Sequence, residues 1–325
     1  MRRYLLVLLT GLSVFFAGCG RDGEQAAAGQ VIQNFDANGY ARRTVLHGVP
    51  QRVLILYPGA AEAMLELGLD EHILQTVGAY GSEPPEQIAA RFAKLPKVKA
   101  AFVPAQEEVF ALQPDLIIGW AHNFSAMELG EAQTWQMRGI GAYIVPATLP
   151  GRSLTLEDAV YPFLRDLGQM FGVEQRAEAY IASCRRQEER AMSQVADLPV
   201  ATAVVLQDHG RSTYSLYDAS YLIDDVLAKA GFANLVRRKT SMVGPERILA
   251  YDPDYLVYVS LPGKDGSDLS EEDALGLVNA NPDFKRLRAV QQGHIIVIPF
   301  AEVNSGNGRA IDALNRLVTG RIRNR

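Results

Sequence analysis

The sequence predicts an α/β protein of two lobes joined by a helical connector, and three observations lead there. Short apolar runs alternate with segments of helical spacing along most of the chain. The alternation breaks once, between Ser153 and Leu198, where about 45 residues keep helical spacing without a strand signal. One segment type then occurs on both sides of the break. Val109-Phe110-Ala111-Leu112-Gln113-Pro114-Asp115-Leu116-Ile117-Ile118 is echoed by Ile248-Leu249-Ala250-Tyr251-Asp252-Pro253-Asp254-Tyr255-Leu256-Val257. In each, a short helix runs into Pro-Asp and a strand, as expected of two similar lobes facing one another.

The chain opens with Arg2 and Arg3 before an apolar run from Tyr4 to Phe16. At 1.5 Å per residue, roughly thirteen residues are too few to cross about 30 Å of hydrocarbon. The run reads instead as an export signal over residues 1–18. It ends in Phe16-Ala17-Gly18-Cys19, which resembles the cleavage box of bacterial lipoproteins, with Phe16 departing from the usual aliphatic residue. Cys19 would then carry the lipid; the alternative is a plain signal peptide with a chance cysteine. Losing Arg2 and Arg3 takes the formal charge from −5 to −7. Cys184 is the other cysteine and would have no partner for an intramolecular disulfide. Residues 19–42 are expected as lipidated cysteine and flexible tether, because Gly20 to Gln30 is rich in Gly, Ala and polar residues without periodicity.

The first lobe is expected over residues 43–150. Arg52 to Tyr57 is a strand, and Ala60, Met64, Leu65 and Leu67 a helix stopped by Gly68. Further strand-bearing units run through Gln75 to Val77 and Pro114 to Trp120, and a strand falls at Ala142 to Pro146 after a helix-like stretch from Ala126 to Arg138. Strands apolar on both faces and alternating with helices indicate a mainly parallel, covered sheet. The connector spans residues 151–198; Ala177, Tyr180, Ile181 and Cys184 share one helix face, and Gly172 separates a shorter helix from a longer one. The second lobe, residues 199–325, carries strands at Ala201 to Leu206, Tyr255 to Ser260 and His294 to Ile298. Its helices are expected at Tyr221 to Ala230, opening at Asn281-Pro282-Asp283, and at Arg309 to Val318.

Composition excludes several functions. An acidic chain without a Lys/Arg block lacks the basic stripe that nucleic acid requires. The histidines, His47, His72, His122, His209 and His294, are scattered, and a metal site could at best gather His122, His209 and Asp208. Asn304-Ser305-Gly306-Asn307-Gly308-Arg309 lacks the length and closing Lys-Ser/Thr of a phosphate loop. Neither an enzyme nor a cofactor of the protein's own is expected.

From about Arg43 to Arg325 the chain resembles the substrate-binding lipoproteins of bacterial ABC importers for ferric siderophores, cobalamin and haem. The resemblance rests on Arg52-Val53 through Gly68, Glu107 through Asp115, the helical connector, Asp225 through Gly231, Glu246 through Asp254, and Leu287 through His294, in that order. It implies two Rossmann-like lobes joined by a long rigid α-helix, with the ligand cleft between lobes. It also implies a monomer that receives a metal chelate, a ferric siderophore first and cobalamin or haem as the alternative, and passes it to an ABC permease. A chelate-handling enzyme or sensor on the same fold is the more distant possibility.

A ligand in such a cleft meets loops at the carboxyl ends of strands. These carry Tyr57, Tyr80, Trp120, His122 and Asn123 in the first lobe. Tyr80 and Trp120 sit where cobalamin binders of the family place aromatic residues, and flat rings suit a bulky chelate. His122 could ligate haem iron or donate a hydrogen bond to a chelate. In the second lobe the polar loop Gln207 to Tyr217 offers Tyr214 and Tyr217. Arg237, Arg238 and Lys239 form the densest basic run and could neutralise an anionic chelate. Glu107 and Glu246 each stand seven residues before their Pro, matching the acids that the family presents to permease arginines; helix N-terminal placement alone would also explain them.

Overall fold

A computed structural model of the protein describes residues 29–77, 83–98, 103–152, 154–263 and 267–324. The expected signal peptide, Cys19 and Tyr80 lie outside the described residues. The first half is built from the strands β1 (Gln30–Phe35), β2 (Ala41–Leu46) and β3 (Val53–Ile55), then α1 (Pro58–Glu66), β4 (Ile73–Thr76), α2 (Glu86–Phe92), α3 (Gln106–Leu112), β5 (Leu116–Gly119), α4 (Ala132–Gln136) and β6 (Gly141–Ile144). A π-helical turn, Leu156–Val160, leads into α5 (Tyr161–Phe171) and α6 (Glu174–Val195). The second half holds β7 (Ala201–Asp208), β8 (Tyr214–Leu216), α7 (Ile223–Lys229), β9 (Phe232–Asn234), α8 (Pro245–Tyr251), β10 (Tyr255–Ser260), α9 (Glu271–Ala280), α10 (Arg288–Gln291), β11 (Ile295–Pro299), α11 (Phe300–Asn304) and α12 (Arg309–Arg323).

Each half has its own sheet. The first is parallel in the order β4-β3-β5-β6. The second runs β11-β10-β7, and the far side of β7 is shared by β9 along its start and antiparallel β8 along its end. All of β5, β6, β10 and β11 are buried, which is why these segments are apolar at every position rather than at alternate ones.

The Pro-Asp echo has a structural cause. The Asp115 carboxylate accepts from the backbone N–H groups of Gln51 (2.6 Å) and Arg52 (3.0 Å), tying the start of β5 to the approach to β3. Asp254 does the same for β7, accepting from the Thr202 N–H (2.8 Å) and hydroxyl (2.7 Å). The Thr202 N–H and hydroxyl hold the Asp254 carboxyl below the usual carboxylate range. The helix before each motif ends on a non-glycine left-handed residue, Gln113 (φ 50°) and Asp252 (φ 38°). An arginine closes the exposed carbonyls there: Arg52 donates to Gln113 and Leu112, and Arg288 to Asp252.

The connector is two helices. Gly172, at φ 66°, is the left-handed residue that ends α5 and allows α6 to restart. The 22 residues of α6 give a rod of about 33 Å. Near one end, Arg176 donates to the Leu67 carbonyl that follows α1 (2.8 Å). Near the other, Glu188 accepts from the Tyr161 hydroxyl (2.8 Å) and pairs with Lys229 of α7 (2.8 Å).

Beneath the sheets one apolar core runs without interruption from Val53 and Met64 through Leu164 and Ile181 to Leu227 and Leu314, spanning both halves and the connector. A polar latch crosses the same base. Arg309 of α12 reaches Glu62 of α1 (3.1 Å) and the Glu83 carbonyl (2.8 Å). Asn307 donates to Glu62 (3.0 Å) and to the Gly59 carbonyl (2.8 Å). On its other side Arg309 stands 3.6 Å from Glu302, which Arg316 also engages at 2.8 Å. The side chains of Glu62 and Glu302 are each 2% exposed. Burial pushes both carboxyls upward, with Arg309 opposing the shift at Glu62 and Arg316 opposing it at Glu302.

Several elements differ from the sequence reading. Residues 30–46, partly within the expected tether, form the antiparallel hairpin β1–β2. Its buried Asn34 exchanges hydrogen bonds with Ile144 (2.8 and 2.9 Å), and Thr44 donates to Ala142 (2.7 Å), so side chains cover the free edge of β6. Ala126 to Arg138 is not one helix: Gly130, at φ 78°, interrupts it, and only the five residues of α4 are helical. Asn281-Pro282-Asp283 follows α9 instead of opening a helix, with the Asn281 side-chain Oδ1 accepting from the Asp283 N–H (2.9 Å).

Candidate functional site

The two halves face each other across a cleft containing two chambers. The larger, about 420 Å³, lies between Thr148 and Leu149 of the first half and Tyr221, Lys239 and Asn304 of the second. The smaller, about 300 Å³, lies between Tyr57, Asn123 and Glu128 on one side and Gln207 and Phe300 on the other. Trp120 and His122 line both.

The shared wall is made where β5 ends. Gly119 closes the strand, and a Cβ there would come within 2.9 Å of Leu56 and 3.0 Å of the Asn123 side chain, so the following turn can press against β3 only because this residue is glycine. The chain then makes a 3-10 turn, Ala121–Phe124. The Trp120 N–H donates to the Asn123 side-chain oxygen (2.7 Å) and the Ala121 N–H to the Thr148 hydroxyl (2.9 Å). Asn123 in turn donates to Glu128 (2.9 Å). The Trp120 ring packs against Tyr57 with centroids 5.4 Å apart, and the His122 imidazole stands edge-on to it at 5.2 Å. The buried Tyr57 hydroxyl has its pKa raised well above the phenol range by burial. His122 Nε2 is 3.9 Å from Glu128 Oε1.

A second turn supports the floor. Asn304 donates through Nδ2 to the Tyr217 hydroxyl (3.0 Å), and that hydroxyl donates to Gln207 Oε1 (3.1 Å). This relay passes beneath the cleft from the larger chamber to the smaller. Tyr217 is buried, and burial raises its phenol. Tyr221 packs against it at 5.0 Å and reaches the larger chamber.

The structure therefore brings Tyr57, Trp120, His122 and Asn123 together at the cleft and puts Tyr217 under its floor. Tyr214 lies elsewhere: it is buried against Phe284 (5.0 Å) in the outer core of the second half, bonded to Asp283 (2.8 Å) and Asn281 (3.0 Å). Arg237 is exposed and paired with Asp224 at 3.3 Å. Neither Arg237 nor Arg238 lines a chamber, whereas their neighbour Lys239 does. Glu107 and Glu246 are exposed, each the second residue of its helix, α3 and α8. Thr148 and Tyr221 escaped sequence reasoning because no cluster of chemistry-bearing residues marks their loops. Thr148 follows the carboxyl end of β6, so the strand-end rule that found Trp120 could have found it as well. Among the described residues, no three of His, Cys, Asp and Glu gather as a metal cage.

Comparison with known proteins agrees with this architecture. The sequence profile described as periplasmic binding protein matches residues 53–302. No curated protein sequence matches the chain. Among solved structures, a periplasmic binding protein from Veillonella parvula superposes with a TM-score of 0.75 at 22% identity, covering 90% of this chain and 97% of that one. An ABC-type Fe3+-hydroxamate transport system protein from Saccharomonospora viridis gives 0.72 at 22% identity over 89% and 98% of the two chains. A periplasmic haem-binding protein from Pseudomonas aeruginosa gives 0.62 at 24% over 83% and 92%. The matched profile covers both sheets, the connector and the loops around the cleft, and the chain belongs to the periplasmic binding protein family.

Proposed function

We propose that the protein captures a metal chelate, a ferric siderophore first, in the cleft and delivers it to an ABC importer while a lipid on Cys19 holds it to the membrane. The observation that carries this reading is the pair of chambers formed jointly by both halves around Trp120, an aromatic wall open to a bulky ligand. Relatives of the same fold described as Fe3+-hydroxamate and haem proteins support the ligand class. The base of the cleft is closed by a continuous core and a buried latch, which suits capture with small lobe movement. Glu107 and Glu246, exposed at matching positions of the two halves, are assigned to permease docking. An exposed Glu–Arg pair contributes only about 0.2–1 kcal/mol, so their work is orientation and encounter rate. Haem is the second reading, favoured by the exposed His122 imidazole on the wall of both chambers.

Tryptophan fluorescence tests the reading. The chain has two tryptophans, and Trp135 is buried with its indole N–H bonded to the Leu129 carbonyl (3.0 Å). Ferrichrome, cyanocobalamin or haemin bound in the cleft should quench Trp120, and Trp120→Phe should remove most of the response. A Soret shift with haemin alone selects the second reading. Absence of saturable binding by all three would overturn the assignment.

A further inference from the structure

We propose that this cleft selects a chelate of near-zero net charge and reads it at two ends, with Lys239 taking an anionic or acceptor-rich group and Glu128 taking N–H donors. The inference rests on the chelate-binding reading above and narrows it. Among the described residues lining the two chambers, the only lysine is Lys239, in the larger, and the only carboxylate is Glu128, in the smaller. Their charges cancel, and the His122 imidazole and the Trp120 ring stand between them.

Both ends are arranged for a ligand. Lys239 is exposed and makes no ion pair with a described residue, while the nearby Arg237 is already neutralised by Asp224. At the other end Glu128 lines the chamber, with Asn123 fixing it by donating to Oε2 and with Oε1 3.9 Å from His122 Nε2. The floor relay gives each chamber a neutral partner of opposite sense. Asn304 spends its Nδ2 on the Tyr217 hydroxyl (3.0 Å) and the Phe300 carbonyl (3.2 Å), so its side-chain Oδ1 is the group left for the larger chamber. Gln207 accepts from Tyr217 through Oε1, so its amide N–H groups are left for the smaller.

In a partly enclosed cleft, charges that stay uncompensated weigh far more than in bulk water. Among the described lining residues a triply anionic tris-catecholate would meet Lys239 and Glu128, whose charges cancel, and keep most of its own charge unmatched. An uncharged tris-hydroxamate, with carbonyl oxygens on one side and amide N–H groups on another, matches both ends.

Titration of the purified protein with ferrichrome (uncharged), ferrioxamine B (singly cationic) and ferric enterobactin (triply anionic), followed by Trp120 quenching, tests this at low and moderate salt. Ferrichrome should bind at least 100-fold more tightly than ferric enterobactin. Glu128→Gln should narrow that gap about tenfold and Lys239→Gln should widen it by a similar factor, because the variants shift the cleft's charge in opposite directions. Dissociation constants within threefold of one another for all three chelates, or a gap that moves the same way in both variants, would overturn the proposal while leaving chelate capture standing. Binding of cyanocobalamin or haemin with none of the three siderophores would overturn it through the ligand class. Binding of none of the five would overturn the reading of the cleft itself.

Discussion

Arg309→Met removes the guanidinium that, among the described residues, reaches both buried carboxylates Glu62 and Glu302, leaving Arg316 on Glu302 alone. In the native protein Glu62 and Glu302 are each 2% exposed, and Arg309 lies 3.1 Å from the first and 3.6 Å from the second. Methionine keeps much of the volume, so the main loss is charge compensation. Removing one member of a buried pair costs about 3–5 kcal/mol. At about 2 °C per kcal/mol for a chain of this size, Tm should fall by roughly 6–10 °C. The pH dependence carries a sign. Burial raises both carboxyls, so the stability linked to them is present below the ordinary carboxylate range and lost as pH rises through their raised values. Without Arg309 they rise further, so the deficit should be larger at pH 8 than at pH 5, where protonation relieves the unpaired charge. Glu62→Gln in the same background should restore part of the loss at pH 8. Differential scanning calorimetry at both pH values measures this. A fall of under 2 °C that is equal at the two pH values would refute the assignment of the latch as a charge-compensated bolt between the halves.

Three further outcomes are expected. Glu107→Lys with Glu246→Lys should abolish chelate uptake in cells carrying the cognate importer while leaving the chelate Kd within about twofold, the rim charges acting on encounter; unchanged uptake counts against docking. Cys184, whose thiol burial pushes up to about 12, should resist a disulfide reagent at pH 8 until the protein is denatured, and rapid native labelling would contradict its placement. Asp166, pushed up to about 6 by burial while it accepts from the Tyr143 hydroxyl (2.5 Å), contributes stability below the ordinary carboxylate range that fades as pH rises through 6. Asp166→Asn should therefore flatten the stability profile between pH 4 and pH 6.5, as followed by urea denaturation.

The parallel strands were legible because burial on both faces leaves an unbroken apolar signature, as in Leu116 to Ile118 and Leu256 to Val259. The β1–β2 hairpin was not, because its inward positions include Asn34 and Thr44. These polar residues are tolerated only since they satisfy the backbone of β6, a tertiary fact without a local trace. α9 carries a start signal of its own, Ser270 accepting from the Asp273 N–H ahead of an acidic first turn, but the Asn-Pro that ends it resembles an opening signal and drew the expected helix past it. At the candidate site, Trp120, His122 and Asn123 stand out in the sequence because they follow a strand end, and the structure puts them at the cleft. Tyr214 and Tyr217 share the same loop composition, yet one faces the outer core and the other the cleft floor: with Leu216 between them, the course of β8 decides where each ring goes. Lys239 was seen only as part of a charge run, and it takes the folded loop to separate it from Arg237.

The uninterrupted apolar core also bears on how the molecule can be divided. Its side chains come from both sheets and from the rod between them, so a cut after Leu198 would leave each piece with a bare hydrophobic face. Neither piece should fold alone, and heating should produce one cooperative transition rather than two. Swapping halves between relatives to trade ligand preference would consequently require exchanging α5, α6 and their contact surfaces as a set.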